Sequence, residues 1–216
     1  MIALVIGATG LVGSYLFDQL LADTRFTQVK VFTRRTSGKK SDKLLEFLVD
    51  FNKVQEWGHD LTGDVLFSAL GTTLKKAGSK EVQYMIDFTY QYESAVHAAG
   101  NGVVGYVLVS SAGASSSSRV FYSRMKGELE DAVSKLPFKH IHIIRPGILD
   151  GPRSEPRPAE QLGLSIFRLF KYIPGIRQFR PVHAATVAKA MINAALDESE
   201  GIKKYTLEEV FALADR

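Results

Sequence analysis

The 216-residue chain contains no cysteine. That excludes disulfides, thiolate metal sites and a cysteine nucleophile. It fits a protein of the cytoplasm, which is the expected compartment. No apolar run approaches the ~18 residues of a spanning helix. The N-terminus reads as a core strand and lacks the charged start and cleavage region of a secretory signal. Proline is absent before Pro137, so nothing interrupts the first two thirds of the chain. Charge of one sign is nearly balanced: the net charge is +4. The basic residues are scattered without interleaved aromatics, so no nucleic-acid surface is expected.

Apolar, β-branched runs alternate with longer amphipathic segments. The pattern predicts strands near Ile2–Ile6, Gln28–Thr33, Glu46–Val49, Val65–Ala69, Val103–Ser110 and His140–Arg145, with a short late strand near Lys204–Leu207. Helices are expected over Leu11–Ala22, Lys80–Ala99, Arg119–Leu136, Ala159–Phe170 and Ala184–Leu196. Strands separated by helices read as βαβ units. The expected fold is α/β: a doubly wound parallel sheet of Rossmann type, with helices on both faces, forming one domain over residues 1–216. Six of the seven prolines fall within residues 146–181. That stretch is expected to form a small, loop-rich C-terminal cap over the substrate. The runs Thr36–Lys43 and Ser115–Ser118 read as mobile surface loops.

After the first strand comes Gly7-Ala8-Thr9-Gly10-Leu11-Val12-Gly13. Gly7 suits a tight turn, Gly10 lets backbone approach a pyrophosphate, and Gly13 allows close helix–sheet packing. The helix beginning at Leu11 aims its N-terminal amides at the phosphates. The strand–loop–helix context makes this a dinucleotide site. The second strand ends in Arg34-Arg35, where an acidic residue would bind the 2′-hydroxyl of NAD. Guanidinium groups suit a 2′-phosphate instead. NADP(H) is therefore expected in preference to NAD(H). Ala69-Leu70-Gly71, after the fourth strand, offers small residues beside the adenosine ribose.

Tyr122 and Lys126 stand four residues apart, on one helical face. An ammonium beside a phenol favours phenolate, and a lowered tyrosine pKa suits proton exchange with a carbonyl or alcohol. Ser110 and Ser111 end the fifth strand, where one hydroxyl would polarise the substrate oxygen; which of the two does so is open. His140 and His142 share a strand face, but without a carboxylate cluster no metal site is expected.

Gly loop, strand-end serines and Y-x-x-x-K, in this order, resemble the short-chain dehydrogenase/reductase superfamily. GATGLVG, FTRR, FSALGTT, VLVSSAGA, YSRMKGELE and IIRPGILDGPR are similar to its atypical, Tat-interacting-protein-like reductases, over nearly the whole chain. The resemblance implies a Ser-Tyr-Lys set with Tyr122 as acid/base. It also implies that Arg145, Pro146, Gly147 and Ile148 line the nicotinamide, with Arg153 close by at the cap. Ordinary members carry an asparagine on the fourth helix; the nearest counterpart here is Asp87. A homodimer through helices four and five rests on the same analogy. Three functions follow: an NADPH-dependent reductase of a small carbonyl compound, a nucleotide-sugar epimerase or dehydratase, and an NADP(H)-binding sensor or scaffold with little turnover.

Overall fold

The computed structural model describes residues 1–150 and 180–216. Its centre is a seven-stranded sheet in the order β3-β2-β1-β4-β5-β6-β9, parallel throughout. The strands are β1 (Ile2–Ile6), β2 (Gln28–Thr33), β3 (Leu44–Leu48), β4 (Val65–Ser68), β5 (Gly105–Val109), β6 (His140–Arg145) and β9 (Gly201–Thr206). β1, β4 and β5 are almost wholly buried, as continuous apolar runs covered on both sides must be.

The helices are α1 (Leu11–Ala22), α2 (Val54–Trp57), α3 (Leu74–Ala77), α4 (Lys80–Tyr84), α5 (Tyr90–Gly100), α6 (Phe121–Val133), α7 (Ala184–Ala195) and α8 (Glu208–Ala214). One core forms where Leu16, Phe17 and Leu20 of α1 and Val187 and Met191 of α7 meet Val5, Phe67 and Val107. The other forms where Trp57 of α2, Ala95 of α5 and Leu129 of α6 meet Leu4, Leu66 and Leu108. Alternate residues of each strand thus feed opposite layers. The sheet reverses its winding between β1 and β4, which opens a crevice at their carboxyl ends.

Several boundaries differ from those expected. β3 begins at Leu44 because its backbone pairs with Val29, two residues before the apolar alternation suggests. As an edge strand it leaves Leu45 and Leu48 exposed, so hydrophobicity marks it poorly. β9 begins at Gly201 rather than Lys204, because pairing with β6 starts at His140. The helix expected over Lys80–Ala99 is α4 and α5 joined by a π-helical turn, Met85–Thr89. α8 was not expected: seven residues are too few to show a helical period, though Val210, Leu213 and Ala214 are buried. β7 (Leu149–Asp150) and β8 (Val182–His183) pair in parallel on either side of residues 151–179. The expected helix Ala159–Phe170, Arg153 and most of the expected cap lie outside the described residues.

Both loops expected to be mobile are fastened. In Thr36–Lys43, the Thr36 hydroxyl and Ser37 amide donate to Glu46, at 2.7 and 2.8 Å. Lys39 pairs with Asp18, and Lys43 Nζ donates to the Asp23 carbonyl. In the serine run, Ser115 N donates to Ser123 O at 3.0 Å. The loop lies so close to α6 that a Cβ on Gly127 would meet Ser115 C at 2.2 Å.

His142 is 1% exposed and ties β6 to β9. One ring nitrogen, Nε2, lies 3.3 Å from the Asp197 carbonyl, which only accepts, so Nε2 carries the proton. Nδ1 then accepts from the Tyr205 hydroxyl at 3.2 Å. Burial lowers the His142 pKa below the ordinary histidine range, against the partly offsetting pull of Asp197. The unfolded chain therefore binds this proton first as pH falls. The stability due to a neutral His142 is complete above about pH 6.5, the unfolded value, and is lost as pH falls through the depressed folded value. Urea unfolding at pH 8, 6.5 and 5.5 should show a declining midpoint, and His142→Asn should flatten that decline. Equal slopes in both proteins would show that His142 does not carry it.

Candidate functional site

The glycine loop is defined by backbone contacts that exclude side chains. Gly7 leaves β1 with φ at +86°, a left-handed conformation. A Cβ there would lie 2.4 Å from Ala69 C, so the loop after β4 presses directly on the loop after β1. A Cβ on Gly13 would lie 2.0 Å from the Gly7 carbonyl oxygen, so α1 starts against its own strand. Gly10 N donates back to Gly7 O at 2.9 Å. Gly10 begins α1 without a side-chain cap, and the first turn holds no acidic residue. The first-turn amides of Leu11, Val12 and Gly13 thus lack helical partners, and the positive end of the helix faces the crevice. Ala8 and Val12 are buried under this loop, and Thr9 is exposed. These features fit a dinucleotide pyrophosphate: bare backbone, free amides and no competing carboxylate.

Arg34 and Arg35 follow β2 and are exposed. Neither forms an ion pair with a described residue. The Thr33 hydroxyl turns back to the Arg35 carbonyl at 3.0 Å, and Glu46 is taken up by Thr36 and Ser37. Asp50, just past β3, accepts from the Asn52 amide at 3.0 Å, so both carboxylates near this strand end already hold hydrogen bonds.

On the other side of the crevice, Tyr122 and Lys126 rise on one face of α6, as their spacing predicts. Tyr122 is 39% exposed, and its hydroxyl bonds to none of the described residues. Lys126 is buried. Its Nζ lies 3.1 Å from Asp87 Oδ1, an ion pair seen at an angle unsuited to a hydrogen bond. Burial pulls the Lys126 pKa down, but Asp87, Tyr122 and Glu130 outweigh it and leave it above the ordinary lysine range. Asp87 Oδ2 accepts the Thr72 amide at 2.8 Å, next to Ala69, Leu70 and Gly71. The π turn thus joins the two sides of the crevice through one carboxylate.

The two serines separate. Ser110 is buried, and its hydroxyl donates to Glu130 Oε1 at 2.5 Å. Ser111 is not among the groups bonded to Glu130. It is partly buried, and its hydroxyl makes no hydrogen bond with the described residues. Ala112 N donates to Pro146 O at 3.0 Å, which sets Ser111 beside the segment after β6. Pro146 is buried, Gly147 and Ile148 partly so. Arg145, however, is engaged by Glu130: its Nε donates at 2.9 Å, and Nη2 bonds the second carboxylate oxygen. Lys204 adds a second cation to Glu130 at 3.4 Å.

Asp87 and Glu130 were not assigned roles by residue pattern. The signal for Glu130 is its spacing: Tyr122, Lys126 and Glu130 fall at i, i+4 and i+8 on one face. A cavity of about 460 Å³ opens at the opposite end of the strands, lined by Asp64, Lys139, His140, His142 and Glu198 among others. It contains none of these site residues. Among the described residues, no group of three or more histidine, aspartate or glutamate side chains is placed to hold a metal ion, and no helix is long and apolar enough to cross a membrane.

Known proteins agree with this architecture. The model of the NAD dependent epimerase/dehydratase family matches residues 3–122. "Protein fmp52-1, mitochondrial" of Aspergillus terreus is 37% identical over 97% of this chain and 93% of its own length. "Protein FMP52, mitochondrial" of Candida albicans is 35% identical, covering 90% of this chain and 88% of its own. Among solved structures, a short-chain dehydrogenase/reductase superfamily protein from Agrobacterium tumefaciens with bound NAD superposes with a TM-score of 0.72 at 13% identity, covering 96% of this chain and 77% of its own. MoeE5 in complex with UDP-glucose and NAD gives 0.69 at 18% identity, covering 99% and 81%. The relatives' names overturn the cytoplasmic expectation. Absence of cysteine, on which that expectation rested, does not distinguish one compartment from another.

The glycine contacts predict a sharp outcome for substitution. Gly13→Ala forces a methyl group into the Gly7 carbonyl, and should lower stability by about 1–3 kcal/mol in urea unfolding. Gly100→Ala, in the last turn of α5 with open space and no positive φ, serves as the mild control; equal losses would show that the α1–β1 approach is not tight. Sheet order, crevice, glycine loop and sequence relatives together make this chain a member of the NAD-dependent epimerase/dehydratase family, with the short-chain dehydrogenase/reductase fold.

Proposed function

We propose that the protein is an NADP(H)-dependent reductase acting on the carbonyl of a small molecule. The observation that carries this reading is the pairing, across one crevice, of an exposed Arg34-Arg35 strand end, free of ion pairs among the described residues, with an accessible Tyr122 one helical turn from buried Lys126. A bound nicotinamide supplies a hydride to the carbonyl carbon or takes one from an alcohol. The chain's residues do the rest. Ser111 donates a hydrogen bond to the substrate oxygen. Tyr122 delivers the proton to that oxygen as negative charge develops. Lys126, fixed as an ammonium by Asp87, donates to the nicotinamide ribose. The α1 amides hold the pyrophosphate, and Arg34, with Arg35 second, holds the 2′-phosphate. Pro146, Gly147 and Ile148 wall the nicotinamide, while Ala69, Leu70 and Gly71 lie along the adenosine ribose. Arg145 supports this wall through Glu130.

The family match favours a second reading, in which the same tyrosine serves an epimerase or dehydratase that returns the hydride to its substrate. In a third, bound NADP(H) controls a partner with little turnover. The relatives' names support a mitochondrial location for this chain also.

Nicotinamide fluorescence with NADPH and with NADH is the primary test. NADPH should bind more tightly, and Arg34→Ala should weaken NADPH about tenfold or more, as loss of a charged hydrogen bond does, while changing NADH little. Equal affinity for the two nucleotides would remove the NADP assignment. A carbonyl screen should then show net NADPH consumption, and Tyr122→Phe should lower kcat by about 10²–10⁴ with nucleotide affinity preserved. Conversion of a nucleotide sugar without net consumption would establish the second reading instead.

A further inference from the structure

Asp87 is fully buried, and three separate contacts hold it. The π turn brings it inward between α4 and α5. Gln91 Nε2 donates to its backbone carbonyl at 2.6 Å, and Gln91 Oε1 in turn accepts the Ser68 hydroxyl at 2.7 Å. The Thr72 amide occupies carboxylate Oδ2. With Oδ2 fixed by that amide, Oδ1 lies 3.1 Å from Lys126 Nζ. Asp87 is thus held from β4, from the loop after β4 and from its own helix, and it is the carboxylate in contact with the Lys126 ammonium.

The other charged and titratable groups around Lys126 are accounted for. Tyr122 and Glu130 lie on its own helix. Glu130 is already shared by Arg145 of β6 and Lys204 of β9. Ser110 and Ser111, which follow β5, carry no charge. Removal of Asp87 therefore leaves a buried ammonium without adequate compensation, and such a group discards its proton.

We propose that Asp87 is the positioning residue that keeps Lys126 charged and fixed at the nicotinamide side of the site, and that it links this lysine to the loop along the adenosine ribose. The assignment rests on the cofactor reading above only for its effect on nucleotide binding. The Asp87–Lys126 coupling itself is measurable without nucleotide.

The test uses the whole chain labelled with ¹³C at lysine Cε, the Lys126 resonance being assigned by its loss in Lys126→Met. Asp87→Asn keeps the acceptor for the Thr72 amide and removes the charge. In the unsubstituted protein, the Lys126 resonance should stay in its protonated position from pH 7 to pH 10. In Asp87→Asn, it should titrate within that range. NADPH affinity of Asp87→Asn should weaken about tenfold between pH 7 and pH 9, the equivalent of one pKa unit, beyond any change in the parent. The same substitution in a Lys126→Met background should leave the pH dependence unaltered. If Asp87→Asn fails to fold but Asp87→Asn/Lys126→Met folds, the uncompensated cation is the cause and the proposal stands. Failure of both, or identical Lys126 titrations with and without the carboxylate, would overturn it. Absence of NADPH binding by the parent protein would overturn the cofactor reading, while the lysine titration would still decide the role of Asp87.

Discussion

Two opposite charges buried on one helix set the terms for the rest of this site. Lys126 and Glu130 stand a turn apart on α6, and both are almost wholly withdrawn from water. Each such ion loses several kcal/mol of hydration, which only close counter-charges offset. They are compensated from opposite directions. Asp87 reaches Lys126 from the π turn, and Arg145 and Lys204 reach Glu130 from β6 and β9. Loss of one partner from a buried pair typically costs about 3–5 kcal/mol, because the other charge stays behind unpaired. The carboxyl ends of β4, β5, β6 and β9 are therefore referred to a single helix, and Tyr122 rides at its accessible end.

This arrangement also explains why the two strand-end serines diverge. A buried carboxylate with two cations on one side still has lone pairs to satisfy, and Ser110 satisfies one of them at 2.5 Å. Its hydroxyl proton is committed. Ser111 has no such commitment among the described residues, and in the proposed reading it is the one that meets a substrate oxygen. Two adjacent serines of identical chemistry, both just past the end of β5, are distinguished by which of them Glu130 engages.

Local signals were readable from residues alone. The Gly7, Gly10 and Gly13 spacing depends on backbone contacts within a few residues, apart from Gly7 against Ala69, and it marks its own loop. β1, β2 and β6 and helix α1 begin and end where apolar patterning places them, because buried strands and a long amphipathic helix write that pattern clearly. Edge strands β3 and β9 do not: half their side chains face water, and their limits follow the partner's backbone. The π turn is equally silent, since one added residue changes no side-chain type. Tyr122 and Lys126 were legible by helical spacing, whereas their support was not. Asp87 is 39 positions before Lys126, and Arg145 is 15 beyond Glu130; only the sheet order brings each pair together.

With the roles proposed for Ser111, Tyr122 and Lys126, the choice between net reduction and internal recycling does not reside in them, since both reactions pass a proton at the same oxygen. It resides in how long the nucleotide stays. A recycled cofactor must outlast many turnovers, whereas a consumed one must leave after each. Arg34 and Arg35 stand in solvent at the end of β2, where salt screens their attraction to phosphate and each exposed contact contributes modestly. In the proposed reading, contacts of that kind select a 2′-phosphate without sealing it in. The buried, charge-balanced half of the site orients chemistry, and the exposed half permits exchange. That division suits a co-substrate that leaves, and it is the physical ground on which the proposed reading favours a reductase over hydride recycling.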